Sequence, residues 1–185
     1  MKAYILVGGR SSRMGMSKTE LFLDRIVCAA RPLFEDVVAV GRSGGDALSI
    51  TTIHEDLHDE EGPIFGLERA LRDATAPCVV IAVDYPLVTA PLLSYLATRT
   101  EATSADVVVP FWHGRPQPLC AGYRPGVLSL IQTRIREGRY SLKGLLAATT
   151  PEMITETELR GRFPGEPLMN VNTPEEWQKA KELYG

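Results

Sequence analysis

Six consecutive residues, Cys78-Val79-Val80-Ile81-Ala82-Val83, are apolar without any alternation. A half-exposed strand alternates apolar and polar residues, because successive side chains point to opposite faces. An unbroken run fits a strand covered on both faces, the condition of a parallel sheet flanked by helices. Shorter runs rich in Val and Ile recur at Ala3–Val7, Val37–Val40, Ile50–Ile53 and Asp106–Pro110. Helix-compatible stretches separate or follow them: Lys18 to Phe34, Phe65 to Ala74, Ala90 to Arg99 and Gly126 to Glu137. Thr173-Pro174-Glu175-Glu176 opens a last helix, with Thr as N-cap, Pro in the first turn and acids at the positive end. This alternation predicts an α/β fold: a doubly wound, mostly parallel sheet with helices on both faces, in one domain over residues 1–185. Sites in such folds gather at the carboxyl ends of the strands. The Pro- and Gly-rich segment from Phe111 to Arg124 reads as an active-site flap within that domain.

The formal net charge of −3 gives no general pull toward nucleic acid or an anionic membrane. No apolar run approaches the roughly 20 residues of a membrane span. The apolar part of the opening MKAYILVGG is too short for a secretion signal. Cys28, Cys78 and Cys120 form no C-x-x-C pair, and each has apolar neighbours. They are expected to be buried thiols in a reducing, cytoplasmic protein.

Directly after the first strand comes Gly8-Gly9-Arg10-Ser11-Ser12-Arg13-Met14-Gly15-Met16-Ser17-Lys18. Glycines let the backbone approach a ligand and turn its N–H groups inward, and Arg10, Arg13 and Lys18 add positive charge. A strand end, a glycine turn, cations and then a helix make a phosphate cradle; the plain alternative is a polar turn with solvated charges. The spacing matches neither G-x-x-x-x-G-K-[ST] nor G-x-G-x-x-G. Asp84 follows the strongest strand at its carboxyl end, where it either caps an Asp-Tyr-Pro turn or serves a ligand. Asn170 and Asn172, in NVNTP, either tie down a turn or offer amide groups to a ligand.

The block LVGGRSSRMGMSK resembles the L-A-G-G-x-S-x-R-M-G-x-x-K signature of the small nucleotidyltransferases that modify molybdopterin. GPIFGL at Gly62–Leu67, AVDYPLV at Ala82–Val88, RPQPLCAGY and NVNTPEEW are similar to that family's later blocks, in order. The reading Val7-Gly8-Gly9 with Gly62-Pro63-Ile64-Phe65-Gly66 is closer to the guanylyl than to the cytidylyl branch. The resemblance implies transfer of GMP from GTP to the terminal phosphate of molybdopterin, with release of pyrophosphate. It implies Mg²⁺ on Asp84, Lys18 on the α- and β-phosphates, and Arg13 on the leaving pyrophosphate. Leu6, Val7, Gly8, Gly9, Asp56 and Gly62 would surround the guanine nucleotide, and Gly66 would leave room for the base. Asn170 and Asn172 would face the acceptor, Asn172 also the metal, with Arg115 and Gln117 as weaker acceptor-side candidates. The implied partners are GTP and molybdopterin, with contact to molybdoenzyme apoproteins or other cofactor-biosynthesis proteins left open.

The chain also departs from the pattern. The short G-K-P-L loop after the lysine is missing, Ser17 replaces the usual Asp, and Val40-Gly41 stands where the family has a strand-end Asn. A related transferase using CTP or another acceptor, or a non-catalytic nucleotide-binding relative, therefore stays open. A zinc hydrolase is a third reading, because His54-Glu55-Asp56-Leu57-His58 satisfies H-E-x-x-H. That motif works only on a helix, and the β-branched Ile50–Ile53 leading into it is a strand signal.

Overall fold

The computed structural model describes residues 1–7, 18–42, 48, 50–55 and 57–184. Gly8, Gly9, Arg13 and Asp56, all expected in the site, lie outside the described residues. The strands are β1 (Lys2–Leu6), β2 (Asp36–Gly41), β3 (Thr52–His54), β4 (Cys78–Ala82), β5 (Val107–Trp112), β6 (Arg115–Pro116), β7 (Cys120–Tyr123) and β8 (Pro151–Ile154). The helices are α1 (Lys18–Ala30), α2 (Pro63–Asp73), α3 (Ala90–Ala102), α4 (Val127–Arg136), α5 (Leu142–Ala147), α6 (Glu156–Arg162) and α7 (Pro174–Tyr184). The sheet runs β3-β2-β1-β4-β7-β5-β6, with β8 also paired to β5. Strands β3, β2, β1 and β4 are mutually parallel, and β8 is parallel to β5; β7 runs antiparallel between β4 and β5.

Both faces of this sheet are covered, as the run at Cys78 requires. Ala3, Ile5, Val79 and Ile81 pack on one side with Phe22, Ile26 and Val27 of α1 and Leu92, Leu93 and Leu96 of α3. Tyr4, Val80 and Cys78 point to the other, against Ile64, Phe65 and Leu67 of α2 and Ile131 of α4. All five residues of β4 are buried. No helix among the described residues is long and apolar enough to cross a membrane.

The expected flap is not one. Phe111 and Trp112 end β5, and His113 and Gly114 turn the chain with positive φ angles of 49° and 73°. That two-residue turn leads into β6, as the twist of a tight hairpin demands. Cys120–Tyr123 is then fully buried as β7, inserted in the middle of the sheet. The Pro and Gly content marks a tight hairpin and a close approach, not a mobile cover. At Gly122 a Cβ would fall 1.7 Å from the Thr100 Oγ1 of α3, so helix and strand touch through the missing side chain.

The cysteines divide. Cys78 and Cys120 are buried, and burial pushes both thiols up to about 12, which keeps them protonated and unreactive at neutral pH. Cys28 corrects the expectation: it is exposed, on the solvent side of α1, whose opposite side buries Ile26 and Val27.

Candidate active site

The register brings Leu6 of β1 level with Val40 of β2 and Ala82 of β4, so these strands end together. Just beyond them lies a cavity of about 520 Å³, walled by Leu6, Val7, Val40, Gly41, Ala82 and Val83. It lies where β2 and β4 leave opposite sides of β1, the place where doubly wound sheets bind ligands. Its size suits a nucleotide-sized molecule. The wall at Gly41 is tight: a Cβ there would stand 2.8 Å from the Val7 carbonyl oxygen. Val7 N–H already donates to Val40 O at 2.8 Å, and Leu6 O accepts from Val83 N at 3.0 Å. Their remaining contribution to a ligand is the Val7 carbonyl, the second lone pair on Leu6 O, and side-chain surface.

The start of α2 closes another side. Gly62 is its N-cap, without a side-chain cap bond, and Pro63 begins the helix. Gly62, Pro63 and Gly66 all line the cavity, so the helix's positive end opens toward it. A Cβ at Gly66 would meet only the Leu6 side chain at an ordinary 3.5 Å. The fold's own packing therefore tolerates a side chain there, and the glycine leaves that volume to the cavity.

Arg42 and Glu61, which the sequence did not single out, also line it. Arg42 Nη2 donates to the carbonyls of His58 at 3.2 Å and Glu60 at 2.5 Å, strapping the loop before α2 to the end of β2. That loop has a second anchor. His58 Nε2 lies 2.6 Å from Glu68 Oε2, while Arg72 Nη2 donates to Glu68 Oε1 at 2.8 Å. Burial alone would push the Glu68 carboxyl up, but the hydrogen bonds from His58 and Arg72 hold it below the ordinary glutamate range. This arrangement removes the zinc-helix geometry: His54 ends a strand, and the His58 ring pairs with Glu68.

A pH dependence follows from Glu68. Its folded-state pKa is depressed, so it contributes stability above the unfolded value that is lost as pH falls through the folded one. Denaturant unfolding measured from about pH 6 down to about pH 3 should show wild type losing stability more steeply than Glu68→Gln. Parallel pH profiles for the two proteins would remove Glu68 from the account.

The chemistry-bearing side chains meet at the cavity's edge. Asp84 lines it, two residues past the end of β4. Lys18, the first residue of α1, donates from Nζ to Asp84 Oδ1 at 2.9 Å and to Asn172 Oδ1 at 2.8 Å. Residues 154 apart in sequence are thus brought together. Three contacts hold them there. Phe22 of α1 packs edge-on against Trp177 of α7, ring centroids 4.8 Å apart. Val171 N–H donates to Asp84 O at 2.8 Å. Glu176 accepts from the backbone N–H of Asn172 at 2.6 Å and of Thr173 at 3.0 Å, while Thr173 Oγ1 accepts from Glu176 N at 3.2 Å. That capping box fixes the chain where it enters α7. Asn172 Nδ2 donates to Asn170 Oδ1. Arg115 sits exposed in β6, and Gln117 is buried.

A parallel sheet ending in a nucleotide-sized cavity, with a lysine and a carboxylate at its edge, is the architecture of a nucleotide-handling α/β enzyme. The chain belongs to the family of the MobA-like NTP transferase domain, whose model matches residues 3–153, and it is a nucleotidyltransferase. It is 29% identical over 188 residues to a Carboxydothermus hydrogenoformans protein named "Probable molybdenum cofactor guanylyltransferase", covering 97% of this chain and 94% of that one. A Pelotomaculum thermopropionicum protein of the same name is 30% identical over 189 residues, covering 97% of this chain and 91% of that one. The crystal structure of molybdopterin-guanine dinucleotide biosynthesis protein A from Archaeoglobus fulgidus superposes with a TM-score of 0.85 at 29% identity, covering 98% of this chain and 97% of that one.

Proposed function

We propose that this protein transfers GMP from GTP to the terminal phosphate of molybdopterin. An oxygen of that phosphate attacks the α-phosphorus of GTP, the bond from that phosphorus to the bridging oxygen breaks, and pyrophosphate leaves. The acceptor oxygen is already ionised, so the protein's task is alignment and neutralisation of crowded negative charge. One observation carries the reading: the Lys18 ammonium with Asp84 and Asn172 oxygens around it, at the edge of a cavity open to the start of α2. The names of the two bacterial relatives point the same way.

In this reading the base and ribose occupy the cavity, near Leu6, Val7 and Gly62, and the phosphates extend toward Lys18. Gly8, Gly9, Arg13 and Asp56 belong to the same site by resemblance alone. The donor set fits a magnesium ion: a carboxylate and an amide oxygen already converge on one positive charge, and Mg²⁺ takes few protein oxygens beside phosphates and waters. Asp84 and Asn172 would hold it, and when bound it neutralises triphosphate charge. Lys18 then serves the phosphates, and Asn170 with Asn172 faces the acceptor.

Thermal shift with GTP, CTP or ATP, each with Mg²⁺, tests the nucleotide assignment. GTP is expected to give the largest rise in Tm, because a ligand that binds only the folded state stabilises it. A larger rise with CTP would move the protein to cytidylyl transfer. GTP binding without pyrophosphate release in the presence of molybdopterin would make it a non-catalytic relative.

A further inference from the structure

Asp84 shares the cavity wall with two other carboxylates, Glu55 and Glu61. Glu61 is exposed, on the loop before α2, where water competes for its oxygens. Glu55 is 9% exposed, in a wall otherwise built largely of aliphatic residues such as Leu6, Val7 and Val40. It comes directly after β3, and its N–H donates to Gly41 O at 2.8 Å, which carries the parallel ladder one residue past His54. The backbone of Glu55 is therefore fixed by the sheet. Arg42, on the same wall, brings Nε to 3.9 Å from Glu55 Oε2, an ion pair longer than a hydrogen bond. Across the order β3-β2-β1-β4, the strands that lead to Glu55 and to Asp84 are three spacings apart, about 14 Å. A nucleotide with its phosphates at Lys18 and Asp84 thus extends its far end, the base, toward Glu55.

We propose that Glu55 is the specificity-determining residue for the base: its carboxylate accepts the N1–H and the exocyclic amine on the pairing edge of guanine. An ionised carboxylate only accepts, and it offers two oxygens side by side. Guanine alone among the common bases sets two donors next to each other on that edge. Adenine and cytosine each set an amine beside a ring nitrogen that accepts, and uracil sets one N–H between two carbonyls. Each of these presses a lone pair on the carboxylate. Burial sharpens the choice, because a mismatched polar group there has no water to turn to. Arg42 is the positioning group: Nη2 holds the loop carbonyls, while Nε stands beside the carboxylate. The inference rests on the proposed transfer reaction for where the nucleotide lies. Asp56, which the resemblance gives to the same nucleotide, lies outside the described residues and enters the test as a rival.

The test is Glu55→Gln, which keeps the shape and replaces one acceptor by a donor. Xanthine carries a carbonyl where guanine has its exocyclic amine, so an amide suits xanthine as a carboxylate suits guanine. Calorimetric titration with Mg²⁺ gives Kd for GTP and for xanthosine triphosphate on both proteins. Wild type is expected to favour GTP by about 100-fold. The variant should bind the two within about threefold, and should bind xanthosine triphosphate more tightly than wild type does. A residue that only supports the fold would weaken both nucleotides together. A ratio in Glu55→Gln within about threefold of wild type therefore overturns the inference and leaves the transferase reading standing. A ratio that collapses in Asp56→Asn but not in Glu55→Gln overturns it too, and gives the base to Asp56. Tighter binding of CTP than of GTP by wild type, or no binding of any nucleotide, overturns both readings. Should Glu55→Gln fail to fold, Glu55→Asp withdraws the carboxylate by one methylene and should lower the same ratio by about tenfold; an unchanged ratio there counts equally against the inference.

Discussion

Asp84→Ala should slow nucleotidyl transfer by about 100-fold or more and, in the same protein, erase the magnesium dependence of GTP binding. The size follows from what the carboxylate does where it stands. Asp84 lies at the mouth of the cavity, its carboxylate fixed by Lys18 at 2.9 Å and its backbone by Val171. A preorganised charge there costs no reorganisation during the reaction, and removing one such group from a site is typically worth two to three orders of magnitude. The binding signature is more specific than the rate. In the proposed reading, wild-type Asp84 would repel the triphosphate without a metal and help hold the metal that attracts it, so Mg²⁺ should tighten GTP binding. The variant loses both effects: binding in chelator should be no weaker than wild type, and added Mg²⁺ should gain little. Calorimetric titration of both proteins, with and without Mg²⁺, reads this directly. An Asp84→Ala protein that keeps the full magnesium effect would show that the metal is held elsewhere.

What the sequence made legible was whatever local chemistry dictates. The runs at Ala3, Val37, Cys78 and Asp106 became strands because continuous apolar residues need cover on both faces, and the β-branched run at Ile50 leads into the edge strand β3. Asp84 stood out because a carboxylate at the end of such a run has no apolar reason to be there. The antiparallel β7 was misread because Pro118, Ala121 and Gly122 carry little strand propensity, and the strand exists through its neighbours β4 and β5. The histidines of HEDLH were ambiguous in spelling and resolved only by tertiary contact, His58 finding Glu68 on a helix. Tyr85 gave no signal of its own, and Gln117 stood out only through the resemblance. Their meaning is a hydrogen bond across 32 residues, between side chains common in any core. Arg42 was passed over for a related reason: a lone arginine after a strand is ordinary, and its strap onto the His58 and Glu60 carbonyls is a fact of folding.

Among the described glycines, Gly122→Ala should be the most damaging added methyl, at about 3 kcal/mol or more. The added Cβ would lie 1.7 Å from Thr100 Oγ1, 2.8 Å from its Cβ and 2.9 Å from its Cγ2. No rotamer of Thr100 clears all three, because its Cβ is fixed by the helix backbone. Relief by rotation would also break the bond from Thr100 Oγ1 to Leu96 O, 2.6 Å long and fully buried. The remaining escape is for α3 to move off the sheet, where Leu92, Leu93 and Leu96 are packed without exposure. For a chain of this size such a loss lowers Tm by about 6–12 °C. The cause is checked by a double-mutant cycle with Thr100→Ala, which removes Oγ1 and Cγ2 but leaves Cβ. The methyl should then cost less than in wild type, by about 1 kcal/mol or more, because two of the three close atoms are gone. Additive losses would mean that the strand, rather than its contact with α3, rejects the side chain. The distinction bears on catalysis, since β7 lies against β4, and β4 carries Asp84 at its end. A glycine with no ligand to touch thus sets how closely a helix can press on the strand beside the one that carries the Asp84 carboxylate.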